Sequence, residues 1–228
     1  KTWTKIDTNL PAEPINVVKE DPSNDKVLYV GSDHSLYVSF DKGGTFMGMN
    51  GQLPDAPVHD LVVQNEAKEL VIGTHGRSIY IANIAHLQAL NDEILAKNLH
   101  LFSVAAQKHS SRWGNSWSKW QEPNTPEIDI PIYSKNAQTI EVVIMADSTT
   151  VLKTLSYEAI KGINYISYDL SLDEAQKVAY ENYLNKQNED EEDVTEISLK
   201  AGDNGLFYLK AGTYTIKIQE ETVDLVVE

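Results

Sequence analysis

Two stretches near the start of the chain repeat one another. Thr2-Trp3-Thr4-Lys5-Ile6 leads to Asn9-Leu10-Pro11, and 43 residues later Thr45-Phe46-Met47-Gly48-Met49 leads to Gln52-Leu53-Pro54. At the same offset Pro14-Ile15-Asn16-Val17-Val18 matches Pro57-Val58-His59-Asp60-Leu61. Leu28-Tyr29-Val30-Gly31-Ser32 then matches Leu70-Val71-Ile72-Gly73-Thr74 at 42, so one residue is lost between them, and Leu36-Tyr37-Val38 meets Ile79-Tyr80-Ile81 back at 43. A unit of this size cannot bury its apolar face alone. It must stack on further units of its kind, which restricts the fold to repeat architectures.

Each unit reads as short strands. Residues 15–19, 26–31, 36–40 and 46–49 are rich in β-branched and aromatic side chains, as are 58–63, 69–73 and 78–82. Asp-Pro-Ser-Asn, Ser-Asp-His-Ser and Asp-Lys-Gly-Gly between them are turn chemistry. Four strands in about 40–45 residues make one blade of a β-propeller. Between the third and fourth strands Asp41 is placed to accept hydrogen bonds from turn amides, and Gly43 to supply a positive φ. With Ser39, Thr45 and Phe46 they form a pattern that resembles the Asp box of many propellers, Phe46 standing at the usual Trp position. The resemblance implies a structural hairpin, so Asp41 is not read as a catalytic acid.

Residues 9–46 and 53–81 together resemble bacterial Asp-box repeat proteins of the sortilin-like and glycosyl-hydrolase-like kind. Lys1-Thr2-Trp3 resembles the tail of a preceding Asp box, and the second unit has three strands and no box of its own. Residues 1–83 therefore read as the last blades, about two, of an incomplete ring. The remainder of that propeller, on the same protein or a separate chain, is the first expected partner. The resemblance also implies a secreted, periplasmic or cell-surface protein.

Charge and composition narrow the partners. With 34 acidic against 19 basic side chains the net charge is -15, which repels nucleic acid and anionic lipid. The absence of cysteine removes disulfides, thiolate nucleophiles and Cys-ligated zinc together. No apolar run approaches the roughly 18 residues of a transmembrane helix.

The second half changes character. Ile84, Leu87, Leu90, Ile94 and Leu95 have helical spacing, predicting one helix over 84–97. Residues 84–126 read as a helical and Trp-rich linker. Its Arg112–Trp120 run holds Trp113, Trp117 and Trp120, which are suited either to stacking on sugar rings or to wedging a linker between domains, the packing role being favoured. Strands at 128–133, 139–145, 164–170, 212–218 and 222–227 predict a β-sandwich over 127–228. Gly162–Leu170 and Leu209–Ile216 resemble two strands of the immunoglobulin-like domain that follows such propellers, with Tyr168 and Ala211 in place of Trp and Pro. The fold class expected is all-β: propeller blades, then an immunoglobulin-like sandwich. An insertion at 172–198 interrupts it. Its first part, 172–186, reads as a helix with Ala175, Val178, Ala179, Tyr183 and Leu184 as the apolar residues, and Glu189–Asp193 is an acidic run, solvated or a low-priority calcium site. No other metal or cofactor is expected: the histidines lack zinc-ligand spacing.

Glycoside hydrolysis needs two carboxyl groups across a cleft. Asp60 and Glu20 are weak candidates and Asp33 a weaker one, none with a visible partner. His59 and Asp60 are adjacent, and strand alternation separates adjacent side chains. Gly73-Thr74-His75-Gly76-Arg77 reads as a tight turn; His59, His75 and Arg77 are candidate ligand or anion contacts. The expectation is a protein- or glycan-binding scaffold. The alternative is a secreted glycoside hydrolase with its acids mainly in other blades.

Overall fold

The computed structural model describes residues 2, 5–6, 9–49, 53–187 and 196–228. The chain is all-β with a few short helices, and it divides into two compact units at Leu95/Ala96. Trp3 and the acidic run Glu189–Asp193, with the calcium reading placed on it, lie outside the described residues.

In the first unit β1 (Ile15–Glu20), β2 (Leu28–Ser32), β3 (Leu36–Ser39) and β4 (Met47–Gly48) form an antiparallel sheet in chain order. A second sheet follows the same order with β5 (Val58–Gln64), β6 (Glu69–Thr74) and β7 (Ile79–Asn83). The repeat extends to an irregularity. The first strand of each sheet shifts register at one place, between Ile15 and Val17 and between Val58 and Asp60. The bulged residues, Asn16 and His59, are one period apart. Gly31 fits the two sheets together: a Cβ there would lie 2.6 Å from Val58 Cγ1 and 2.7 Å from Val17 Cγ1.

The β3–β4 hairpin explains the Ser-x-Asp-x-Gly-x-Thr pattern. Asp41 Oδ1 accepts from Thr45 N (2.7 Å) and Ser39 Oγ (2.8 Å), and Asp41 Oδ2 from Thr45 Oγ1 (2.8 Å). Ser39 Oγ accepts from Gly43 N at 2.8 Å. Lys42 and Gly43 turn the chain with φ of 58° and 87°. Phe46 then buries itself against Leu28 and Val30. Burial acts to raise the Asp41 carboxyl, but the hydrogen bonds from Thr45 and Ser39 outweigh it and hold it below its ordinary value. Its contribution to stability is therefore present above the ordinary carboxylate pKa and lost as pH falls through the lowered one. Asp41→Ala should cost about 2 kcal/mol, and the wild-type advantage should shrink in acid; equal urea midpoints at neutral pH would contradict this.

The expected single helix over 84–97 is two, α1 (Ala85–Ala89) and α2 (Asp92–Ala96). Leu90 is extended (ψ 124°), and Asn24 Nδ2 donates to its freed carbonyl at 2.8 Å. Asn91 then starts α2, its Oδ1 accepting from Ile94 N at 2.9 Å. Ile84, Leu87 and Leu90 are buried as the periodicity requires.

In the second unit β8 (Leu99–Leu101), from the stretch read as linker, pairs with β9 (Ile128–Ser134). Further on come β10 (Gln138–Met145), β11 (Val151–Ala159), β12 (Gly162–Tyr168) and β13 (Ser171–Leu172). After a 3-10 turn (Glu174–Gln176) and α3 (Lys177–Gln187) come β14 (Phe207–Tyr208), β15 (Gly212–Ile218) and β16 (Glu221–Val227). Two antiparallel sheets, ordered β12-β9-β8 and β11-β10-β15-β16, share one core that includes Ile130, Ile132, Val142, Ile144, Ile216 and Leu225; β13 and β14 form a small hairpin. This is a β-sandwich.

The expected helix over 172–186 begins later, since Leu172 belongs to β13 and Asp173 is extended. Its buried side also differs. Val178 is 65% exposed and Tyr180 is fully buried, because the Tyr180 hydroxyl pairs with that of Tyr214 and accepts from Lys210 N at 2.9 Å. Tyr214 in turn donates to Lys210 O at 2.7 Å. Asn164 is a second buried fastener. It donates to the carbonyls of Ile160 and Gly162 at 2.8 and 3.0 Å, accepts from Ile160 N at 2.8 Å, and so closes the β11–β12 turn.

Candidate functional site

The sequence candidates fall into two places. In the first unit the two bulges aim side chains at the turn after the second strand of each sheet. Asn16 Nδ2 donates to Asp33 Oδ1 at 2.9 Å. At the matching positions the rings of His59 and His75 lie 5.3 Å apart and 31° from parallel. A bulge suspends the alternation of side chains, so alternation does not separate His59 from Asp60. Their partners do: His59 packs on His75, and Asp60 Oδ1 accepts from Leu61 N at 2.9 Å. Of the Gly73–Arg77 segment, Gly73 and Thr74 end β6 and residues 75–77 make the turn, with His75 N bonded to Pro57 O at 2.8 Å and Arg77 exposed.

Asp60 and Glu20 are not brought into a pair. By the repeat, Asp60 matches Val17, so the two acids stand three positions apart along matched strands. That is a rise of about 10 Å, and an odd step places them on opposite faces. A pair that sequence reasoning passed over is nearby. Glu13 Oε2 meets His34 Nδ1, and Tyr37 donates to Glu13 Oε1 at 3.4 Å. The hydrogen bond to His34 lowers the Glu13 carboxyl, and the same bond raises the imidazole. Nothing in the local sequence signals it, because the partners are 21 residues apart.

In the second unit the three tryptophans divide. Trp113 joins the sandwich core at 6% exposure, edge-on to His109 and beside Tyr208. Trp117 and Trp120 are 78% and 91% exposed. The Arg112 guanidinium lies 4.6 Å from the centre of the Trp117 ring. The segment carrying them is clamped to the turn at 202–205. Asn204 N donates to Gly114 O (3.2 Å) and Ser116 N to Asp203 Oδ2 (2.9 Å), while Gly114 N to Asn124 O (2.8 Å) closes the loop on itself. A Cβ on Gly202 would sit 2.7 Å from the Gly114 backbone. The loop is thus held in one shape by its backbone while two indoles stay in solvent.

Two clefts flank this loop. One of about 380 Å³ lies between Trp113, Tyr208, His109, Lys200 and Lys210. The other, about 440 Å³, is lined by Arg112, Trp117 and the amides Asn115, Gln121 and Asn124 together with Glu122. Both fall within the ~300–1,000 Å³ of small-ligand pockets. Among the described residues no group of three or more His, Cys, Asp or Glu is placed to hold a metal ion, and no helix is long and apolar enough to cross a membrane.

No protein-family model matches the chain, and a search among curated proteins returns no match.

Proposed function

We propose that this chain is the C-terminal part of a secreted or cell-surface Asp-box β-propeller protein that serves as a protein- or glycan-binding scaffold. Its two repeat sheets are blades, and its sandwich is of the immunoglobulin-like kind, with Tyr214 tying its strand to the preceding turn as a tyrosine corner does. One observation carries the reading. Gly31, Leu36, Tyr29 and Val38 are cross-strand neighbours and so share a face. That face is covered: Leu36 and Val38 are 1% and 2% exposed, and Gly31 abuts Val58 of the next sheet. The matching face of the second sheet holds Gly73, Ile79, Val71 and Ile81. There Ile79 and Ile81 are 70% and 65% exposed, and a Cβ on Gly73 would meet nothing closer than Asp60 at 3.5 Å. Equivalent apolar positions, buried in one unit and bare in the next, are what a stack presents where a further sheet belongs. The binding role rests on the exposed indoles of Trp117 and Trp120.

Side-chain footprinting tests the stack. Ile79 and Ile81 should be labelled several-fold less in the natural protein than in the 228-residue chain. Equal labelling in both would remove the basis for a missing neighbour.

A further inference from the structure

The two clefts beside the Trp loop adjoin one another, with Ser110 and Asn115 lining both. Their chemistry differs from end to end. At one end stands Trp117, with Arg112 over its ring and most of the indole open to solvent. A flat apolar ring of this kind packs well on the C–H face of a pyranose. Around it Asn115, Gln121 and Asn124 offer both donors and acceptors, which is what neighbouring sugar hydroxyls require, and the Glu122 carboxylate offers acceptors for hydroxyls while disfavouring a uronate at this end.

At the other end Lys200 and Lys210 line the cleft together with His109, whose imidazole is held below its ordinary pKa by burial and by the Lys210 charge. Among the described residues that line this end there is no Asp or Glu, although the chain carries 34 acids against 19 bases. Two lysines in one cleft of a strongly acidic protein give it a local attraction for anions that the rest of the surface lacks. The cleft is also built in advance. Tyr180 and Tyr214 hold the Lys210 backbone from both its N–H and its carbonyl, and the clamp between Gly114 and the 202–205 turn fixes the opposite wall.

We propose that the two adjoining clefts together bind an acidic oligosaccharide, with one sugar ring stacked on Trp117 and a uronate carboxylate held beside Lys200 and Lys210. This rests on the binding-scaffold reading and gives it a ligand class. An acidic peptide would use the lysines as well, but it has no need of an open indole flanked by amides, so the saccharide is favoured.

The test is calorimetry on the whole 228-residue chain with tetragalacturonate, maltotetraose and tetraglutamate as probes. Tetragalacturonate should bind about tenfold more tightly than maltotetraose, equivalent to about 1.4 kcal/mol. Trp117→Ala and the double variant Lys200→Gln/Lys210→Gln should each weaken it at least tenfold, and added salt should weaken the wild type alone toward the lysine variant. All three side chains are exposed, so circular dichroism should be unchanged. Equal binding of the neutral and acidic sugars, lost in Trp117→Ala, would overturn the acidic specificity and leave a glycan-binding scaffold standing. Tetraglutamate binding that needs the lysines and ignores Trp117 would overturn the saccharide in favour of an acidic peptide. No binding of any probe would overturn this site, while the footprinting of Ile79 and Ile81 would still decide whether a further sheet covers the repeat.

Discussion

Gly114→Ala should release the Trp loop from the sandwich and lower the stability of the second unit by about 3–4 kcal/mol. Two costs add. Gly114 has a φ of 76°, in the left-handed region, where a side chain costs about 1–2 kcal/mol. Its new Cβ would also lie 2.5 Å from Tyr208 Cε2 and 3.1 Å from the Gly202 Cα. Tyr208 is a core ring and Gly202 is backbone, so neither can yield cheaply. Two companion variants separate the terms. Gly205→Ala has the strain (φ 78°) with nothing within 4 Å of the new methyl, and should cost about 1 kcal/mol. Gly202→Ala has the clash, 2.7 Å to the Gly114 backbone, with no left-handed φ, and should fall between. Chemical unfolding followed by circular dichroism would rank them. A Gly114→Ala protein as stable as Gly205→Ala would mean that the loop is not held against the sandwich as described.

Much of this arrangement could be read from the residues, and the failures have physical causes. The repeat located the strands of the first unit because the same β-branched and aromatic stretches recur at matching places in the two periods, and the Ser39–Thr45 pattern contains the side chains that cap its own turn. Bulges are different. Asn16 and His59 occupy the same place in the period, yet no residue type demands a bulge there, so the meeting of His59 with His75 was visible only in three dimensions. The broken helix at Leu90 has its cause 66 residues away, in the side chain of Asn24. Apolar spacing records which side chains want burial and is blind to a distant amide that takes a carbonyl out of the helix.

In the sandwich, β10 alternates cleanly, with Ile140, Val142 and Ile144 buried, and it was legible. Its partner β11 was passed over, although Leu155, Tyr157 and Ala159 alternate with Thr154, Ser156 and Glu158; Val151–Ala159 lies at a sheet edge, and only Leu152 and Ala159 are fully buried along it. Composition misdirected the reading of α3. Val178 looked like a core residue and Tyr180 did not stand out, but a tyrosine able to bond Tyr214 and Lys210 gains more from burial than an isolated valine. The three tryptophans were equivalent in sequence. What distinguishes them is Gly114, which brings Trp113 down against Tyr208 and leaves Trp117 and Trp120 on the far side of the clamp.

Gly31→Val should be the most damaging single change in the first unit, and its repeat partner Gly73→Val among the mildest. The same residue type stands at the same place in both periods, so local strand preference is common to the two and cancels in the comparison. Surroundings do not cancel. At Gly31 even the first added carbon meets Val58 Cγ1, Val17 Cγ1 and Val58 Cβ at 2.6, 2.7 and 2.9 Å. The two further carbons of a valine would have to push the second sheet off the first. Overpacking of this kind costs about 1–3 kcal/mol where neighbours can adjust, and loss of the sheet-to-sheet contact would take it to about 4 kcal/mol or beyond. At Gly73 the nearest atom is 3.5 Å away and the face is open, so a β-branched residue should cost nothing and gain up to about 0.5 kcal/mol from its preference for extended backbone. Urea unfolding of the 228-residue chain would measure both. If a further sheet does cover Ile79 and Ile81 in the natural protein, Gly73→Val there should lose its neutrality and behave like Gly31→Val. Neutrality of Gly73→Val in both settings would mean that the bare face stays bare, and damage in neither position would mean that the two sheets do not meet at Gly31.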